Sequence, residues 1–234
     1  EIISMKSFAA PGRSGKDENN RDACFVRMLG RNADFDQELF FMDDTLSAQM
    51  GQGRLFYKRI SKLPPLSDSE DILYYTQCYD RWKAAPRKGM ATKVSKDALA
   101  LRLGAACEEA AEKYLHGKAA ATESMRKNFV VKLLYWFDFV CAGFYWDSGG
   151  CIKIAADNVT KEQEYLFYYI LSHIGCEVLL LQSRGDLAKK ELKNLSKEVC
   201  IGAYAAADVP AYVRPGTEEK KDKKRQKTRC KKQD

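Results

Sequence analysis

Histidine is nearly missing from this sequence: only His116 and His173 occur, far apart, in 234 residues. Eight cysteines are present, at 24, 78, 107, 141, 151, 176, 200 and 230, but no two form a CxxC pair. Zinc sites are built from closely spaced thiolates and imidazoles, so the sequence names no metal site and no cofactor. Long apolar runs are also lacking. The most apolar segment, Phe129–Trp146, carries Lys132 and Asp138 and is too short and too charged to span a bilayer; it reads as a buried helix. The first residues, Glu1-Ile-Ile-Ser-Met5, are too short an apolar run for a signal peptide. With Glu in place of an initiator Met, the chain is expected to be a processed or excised piece. Pro11-Gly-Arg-Ser-Gly-Lys16 lacks the first glycine, the Ser/Thr after the lysine and the preceding strand of a phosphate loop. Without a secretion signal, Asn158-Val-Thr160 and Asn194-Leu-Ser196 are not expected to be glycosylated, and Arg184-Gly-Asp186 reads as a chance match to an adhesion tripeptide. The thiols are expected to be buried and free, in a reducing cytoplasm.

What is present is an ordinary globular composition. Hydrophobic residues make up 45% and charged residues 30%, enough for a core. The net charge of +7 is local: Thr217–Asp234 holds nine Lys/Arg against four Asp/Glu, so +5 lies in the tail and +2 in the body. The tail has no aromatic residue on which bases could stack. It reads as a disordered solubilising tail or linker, and a nucleic-acid partner is not expected.

The chain is organised around Cys151–Asp186. Cys151–Ala155 is a short β-branched run, Asp157-Asn158 a turn, and Thr160 with Gln163 three residues on suggests a capping box. Tyr165–Ile174 has helical length, Gly175 ends it, and Glu177–Leu181 alternates little, as a strand buried on both faces does. Strand, helix and buried strand make a βαβ unit on a parallel sheet. A similar pattern spans 24–58: strand Cys24–Leu29, helix Phe35–Met50 capped by Asp34 with Leu39, Phe40, Met42, Leu46 and Met50 inward, and strand Arg54–Lys58. Between the two units the middle is helix-rich, with helices to about Lys83 (capped by Ser67 or Ser69), Lys96–His116 (capped by Ser95) and Thr122–Phe144. After Asp186, Leu187–Val199 reads as an amphipathic helix. The expected fold class is α/β with a parallel-sheet, Rossmann-like core. The expected organisation is a flexible leader over 1–22, one domain over 23–216 and the tail over 217–234.

Three pieces carry a family resemblance: Phe25-Val-Arg-Met-Leu-Gly30, Leu39–Leu46, and above all Glu164-Tyr-Leu-Phe-Tyr-Tyr-Ile-Leu-Ser-His-Ile-Gly-Cys-Glu-Val-Leu-Leu-Leu181. In patches over about 24–215 the chain resembles the bacterial YceG-like proteins of tellurite-resistance (Ter) gene neighbourhoods, which are assigned to a "biosynthetic module". The matching motifs belong to the scaffold. Members of that family are longer, which implies that this chain is an N-terminal part, and they carry an Asn-Pro type of loop where this chain has Gln182-Ser-Arg-Gly-Asp186. The resemblance implies a cytoplasmic stress-response role, other Ter-system proteins as partners, and a nucleotide-like or sugar-like metabolite.

Ligands of open α/β sheets bind beyond the carboxyl ends of the strands. That rule selects Asp157, Asn158 and Thr160 after one strand and Ser183, Arg184 and Asp186 after the next, with helix amides near 160 available to a phosphate. Against it, each residue has a local role as turn, cap or loop. Asp43-Asp44 is a carboxylate pair that suits Mg²⁺, but with no second acidic cluster matched to it the expectation is a solvated helix face. His173 reads as helix surface. Three functional readings follow: a Ter-module domain that binds a metabolite without complete catalytic machinery, a nucleotide-sugar or phosphometabolite transferase, and a protein–protein interaction module. A deep polar cleft at the strand ends favours the enzyme, and a filled one the module.

Overall fold

The computed structural model describes residues 2–10, 24–144, 146 and 151–212. Five strands form one sheet: β1 (Phe25–Leu29), β2 (Leu55–Ile60), β3 (Cys151–Asp157), β4 (Glu177–Gln182) and β5 (Lys197–Cys200). All pairings are parallel and the order is β2-β3-β4-β1-β5. The α/β, Rossmann-like core expected from the sequence is therefore the observed one. The helices are α1 (Met5–Ala9), α2 (Phe35–Gly51), α3 (Ser69–Ala84), α4 (Asp97–Leu115), α5 (Glu123–Cys141), α6 (Glu162–His173) and α7 (Lys190–Lys193).

The period-two alternation of a strand sends neighbouring residues to opposite faces. Val26, Met28, Leu55, Tyr57, Ala155, Leu179 and Leu181 meet α1 and α2 on one face. Phe25, Ile152, Ile154, Ala156, Val178 and Leu180 meet α3 to α6 on the other. Because both faces are covered, β1 and β4 are buried almost throughout, which explains the apolar run Val178–Leu181 in β4 and an apolar β1 broken only by the paired Arg27. Helix α6 is buried along Tyr165–Ser172. Each large apolar side chain there contributes roughly 1.5–3 kcal/mol by leaving water. Gly175, at φ +110°, ends that helix, and its amide and that of Cys176 return to the carbonyls of Ser172 and Leu171.

Several sequence readings change. Leu187–Val199 is not one helix: a single turn, α7, is followed by the edge strand β5. The caps move as well. Asp68 rather than Ser67 or Ser69 caps α3, accepting from the amides of Glu70 and Asp71, because a carboxylate is the stronger acceptor at a helix N-terminus. Lys96 precedes α4, while the Ser95 hydroxyl donates to the Met90 carbonyl. Lys161 precedes α6, and Asp34 makes no side-chain cap to α2. Phe40 is exposed; the inward stripe of α2 is Phe35, Leu39, Met42, Asp43 and Leu46. Within the expected leader, Met5 and Phe8 of α1 are buried, and the buried Lys153 ammonium donates to the Phe8 and Ala10 carbonyls and to Glu177. The phosphate-loop-like stretch Pro11–Lys16 and the basic tail lie outside the described residues. No helix among the described residues is long and apolar enough to cross a membrane. Cys78, Cys107, Cys141 and Cys176 are buried free thiols, whereas Cys24 and Cys151 are half-buried and Cys200 is exposed.

Candidate functional site

Helix α2 follows β1 on one face, and the chain leaving β4 runs to Leu187 and Leu192 on the other. Since β1 and β4 are neighbours, the connections diverge between them, and the carboxyl ends there form the topological switch of this sheet.

A buried polar cluster lies at the carboxyl ends of β2 and β3, across β4 from that switch. Tyr57 and Arg59 alternate on the α2 face of β2, Asp157 ends β3 on that same face, and α2 lowers Asp43 onto them. The Tyr57 hydroxyl donates to Asp43 Oδ1 at 2.5 Å, and Arg59 Nη1 donates to Asp43 Oδ2 at 2.5 Å. Arg59 Nε lies 3.5 Å from Asp157 Oδ2, an ion pair rather than a hydrogen bond. The side chains of Asp43, Arg59 and Asp157 are 0%, 6% and 7% exposed. Asp43 is thus not part of a solvated face, although its neighbour Asp44 is exposed. The acid that the Asp43-Asp44 pair lacked in sequence is Asp157.

Burial pushes the Asp157 carboxyl up from 3.8 to about 6; the Arg59 charge works against this and the Asp43 charge adds to it. Burial also raises Asp43, opposed by the Tyr57 hydroxyl and Arg59. Neither oxygen of Asp157 has a hydrogen-bond partner among the described residues. A buried carboxylate near its titration point can accept ligand hydroxyls or exchange a proton near neutral pH. No group of three or more His, Cys, Asp or Glu suited to a metal ion occurs among the described residues. The Arg59 guanidinium occupies the position between the two acids.

The other residues selected from sequence divide into two groups. Asn158, in the left-handed region at φ +52°, accepts at Oδ1 from the Ser183 hydroxyl and the Arg184 amide and so ties the β3 and β4 loops together. Arg184 Nη1 donates to Asp208 at 2.6 Å. Thr160 is exposed, one residue outside the helix boundary. Asp186 turns to the far face and pairs with the buried Arg27 and with Lys193. The amide of Val159 is taken by Gln182 Oε1 at 2.7 Å, and Glu162 and Glu164 occupy the first turn of α6. These acids already complement the helix dipole, so that turn is a poor phosphate cradle.

Sequence reasoning missed Tyr57, Arg59, Gln182 and the segment 201–210. Their one visible trace was the Tyr57/Arg59 alternation on a strand. Segment 201–210 crosses the carboxyl ends from β5 toward β2. Ile201 N–H donates to the Leu29 carbonyl, Arg31 N–H to Ala203 and Ala205 N–H to Ser183. Arg31 Nη1 then reaches the Asp208 carbonyl and Arg59 Nη2 the Pro210 carbonyl. The strand ends are filled by the chain itself. Two clefts of about 360 Å³ lie elsewhere, both against Glu112 and His116 at the end of α4. Neither contains any of the buried acids. His173, 40% exposed, sits 3.5 Å from Glu109.

Comparisons with protein-family models, curated proteins and solved structures found no match to the chain. The class is set by the fold and the site: an all-parallel, Rossmann-like α/β protein with a buried carboxylate–arginine cluster at the carboxyl ends of its strands.

Proposed function

We propose that the protein is a metabolite-binding α/β domain working in the cytoplasm within the Ter-associated biosynthetic and stress-response module that the sequence resemblance implies, alongside other Ter-system proteins. The ligand is nucleotide-like or sugar-like. One observation supports this most: Asp157, a buried carboxylate whose two oxygens have no hydrogen-bond partner among the described residues, stands at the carboxyl end of a parallel strand beside Arg59. Hydroxyls of a ribose or sugar would satisfy those oxygens, and leaving them unsatisfied is costly.

A thermal-shift screen of nucleotides, nucleotide sugars and sugar phosphates tests the reading. A ligand at a hundredfold excess over its Kd adds about 2.7 kcal/mol, which moves Tm by a few degrees. Asp157→Asn should keep the fold and lose the shift. A flat screen on folded protein sinks the reading.

The filled strand ends, together with exposed Phe40 and Phe41 on α2, favour a second reading, a protein–protein interaction module. It requires a size that grows with concentration or with added Ter-system protein, and no response to small ligands. The transferase reading needs turnover of a nucleotide sugar or phosphometabolite that Asp157→Asn abolishes.

A further inference from the structure

Three arginines from the ends of three strands converge on one short piece of chain. Arg31 follows β1, Arg59 belongs to β2 and Arg184 follows β4; they donate to the Asp208 carbonyl, the Pro210 carbonyl and the Asp208 carboxylate. The crossing is built for close approach. A Cβ on Gly202 would stand 2.1 Å from the Arg31 carbonyl oxygen, and one on Gly30 (φ +81°) 1.9 Å from the Gly202 oxygen. Yet the hold is shallow: no residue from Ile201 to Pro210 is buried, whereas every residue of β1 is. Segments with few buried contacts and exposed hydrogen bonds open at low local cost.

We infer that residues 201–210 form a displaceable strap, which closes the carboxyl ends over Asp157 and lifts when a ligand bearing phosphate or carboxylate groups takes its place on Arg31, Arg59 and Arg184. This rests on the metabolite-binding reading above and specifies the ligand. Lifting the strap leaves each guanidinium one acceptor short, so an incoming molecule must supply oxygen acceptors on that side. Charged donors favour anionic acceptors. Hydroxyls for Asp157 on one side and anionic oxygens for the arginines on the other describe a nucleotide or a sugar phosphate.

The strap can be tested without a ligand. Hydrogen exchange in the wild-type protein should be faster at the Arg31 and Ala205 amides, which bond the strap, than at Leu179–Leu181. Carbodiimide coupling of glycine ethyl ester, read by mass spectrometry, should label Asp157 slowly in the wild type. Asp208→Ala, which removes an exposed ion pair, should speed labelling about two- to fivefold. Gly202→Ala, which forces the crossing apart, should speed it roughly tenfold or more. Asp138, buried in the other face, should label at an unchanged rate. If Gly202→Ala also labels Asp138, that variant has unfolded and Asp208→Ala decides. Exchange of the Arg31 and Ala205 amides only together with the core, or Asp157 labelling unmoved in the folded variants, overturns the strap. If instead UDP-glucose and ADP fail to shift Tm in the wild type and in both variants, the ligand reading falls while labelling still judges the strap.

Discussion

Removing the charge of Asp157 should make the protein more stable at pH 7. Burial lifts this carboxyl from 3.8 to about 6. The folded state therefore binds the proton more tightly than the unfolded state. Stability from this group is fully present below about pH 4 and is lost as the pH rises through about 6. At about 1.4 kcal/mol for each pH unit, the charged form costs on the order of 3 kcal/mol at pH 7. The attraction of Arg59 is already contained in that figure. Asp157→Asn keeps the shape and removes the charge. Urea unfolding at pH 7 should find it more stable by about 1–3 kcal/mol, and at pH 4.5 the advantage should shrink by about 2 kcal/mol. Other carboxylates titrate in both proteins and cancel in the difference. A variant less stable than the wild type at pH 7, or an advantage equal at both pH values, refutes the reasoning.

Asp138 accepts from Tyr75, the Thr92 hydroxyl and the amides of Lys93 and Val94, so Asp138→Ala leaves several buried donors unpaired and should cost roughly 3 kcal/mol or more in urea unfolding. Lys153→Met leaves Glu177 without its cation and α1 without its anchor; chymotryptic cleavage at Phe8 should speed up well before the core becomes sensitive. Phe167→Ala removes a fully buried ring of α6. It should lower stability by about 3–5 kcal/mol with an unchanged urea m-value, and a loss under 1 kcal/mol would contradict the packing described.

The sequence and the structure agree where local pattern decides structure. Four of the five strands lie within two residues of the predicted ones, because each has a short apolar or β-branched stretch next to turn residues. β5 was missed because it is an exposed edge strand of Lys-Glu-Val-Cys, paired only with β1; the ladder that makes it a strand is some 170 residues away in sequence. The expected caps were Asp34 and nearby Ser or Thr residues, yet Asp34 makes no side-chain cap and Ser95 and Thr92 bond each other, with Thr92 also bonding Asp138. Asp157 was legible from the rule about strand ends. Asp43 was not, since its burial depends on Tyr57 and Arg59 arriving from β2. Asp186 was placed with the site by its loop position, but the pull of Arg27 on the opposite face decides where it sits.

The buried acids themselves separate architecture from site. Asp138 ties a loop to α5 with four accepted bonds. Asp186 pairs with Arg27 and Lys193, and its carboxyl is held below the usual range: hydrogen bonds from Lys193 and Arg27 outweigh burial, the largest single influence, which acts the other way. Asp43 has both a hydroxyl and a guanidinium. Each has the close partner a buried charge requires, although Asp186 Oδ1 makes no hydrogen bond among the described residues. Asp157 departs from the pattern: it alone has both carboxylate oxygens without a hydrogen bond among the described residues, and burial raises its carboxyl, as it does that of Asp43. Its ion pair with Arg59 does not offset the cost of its burial, so an asparagine would serve the β3 terminus better. The stability given up at Asp157 therefore points to a role outside the folding of the chain, and its position at the carboxyl end, beneath a segment held by three arginines, fits a ligand that completes the site.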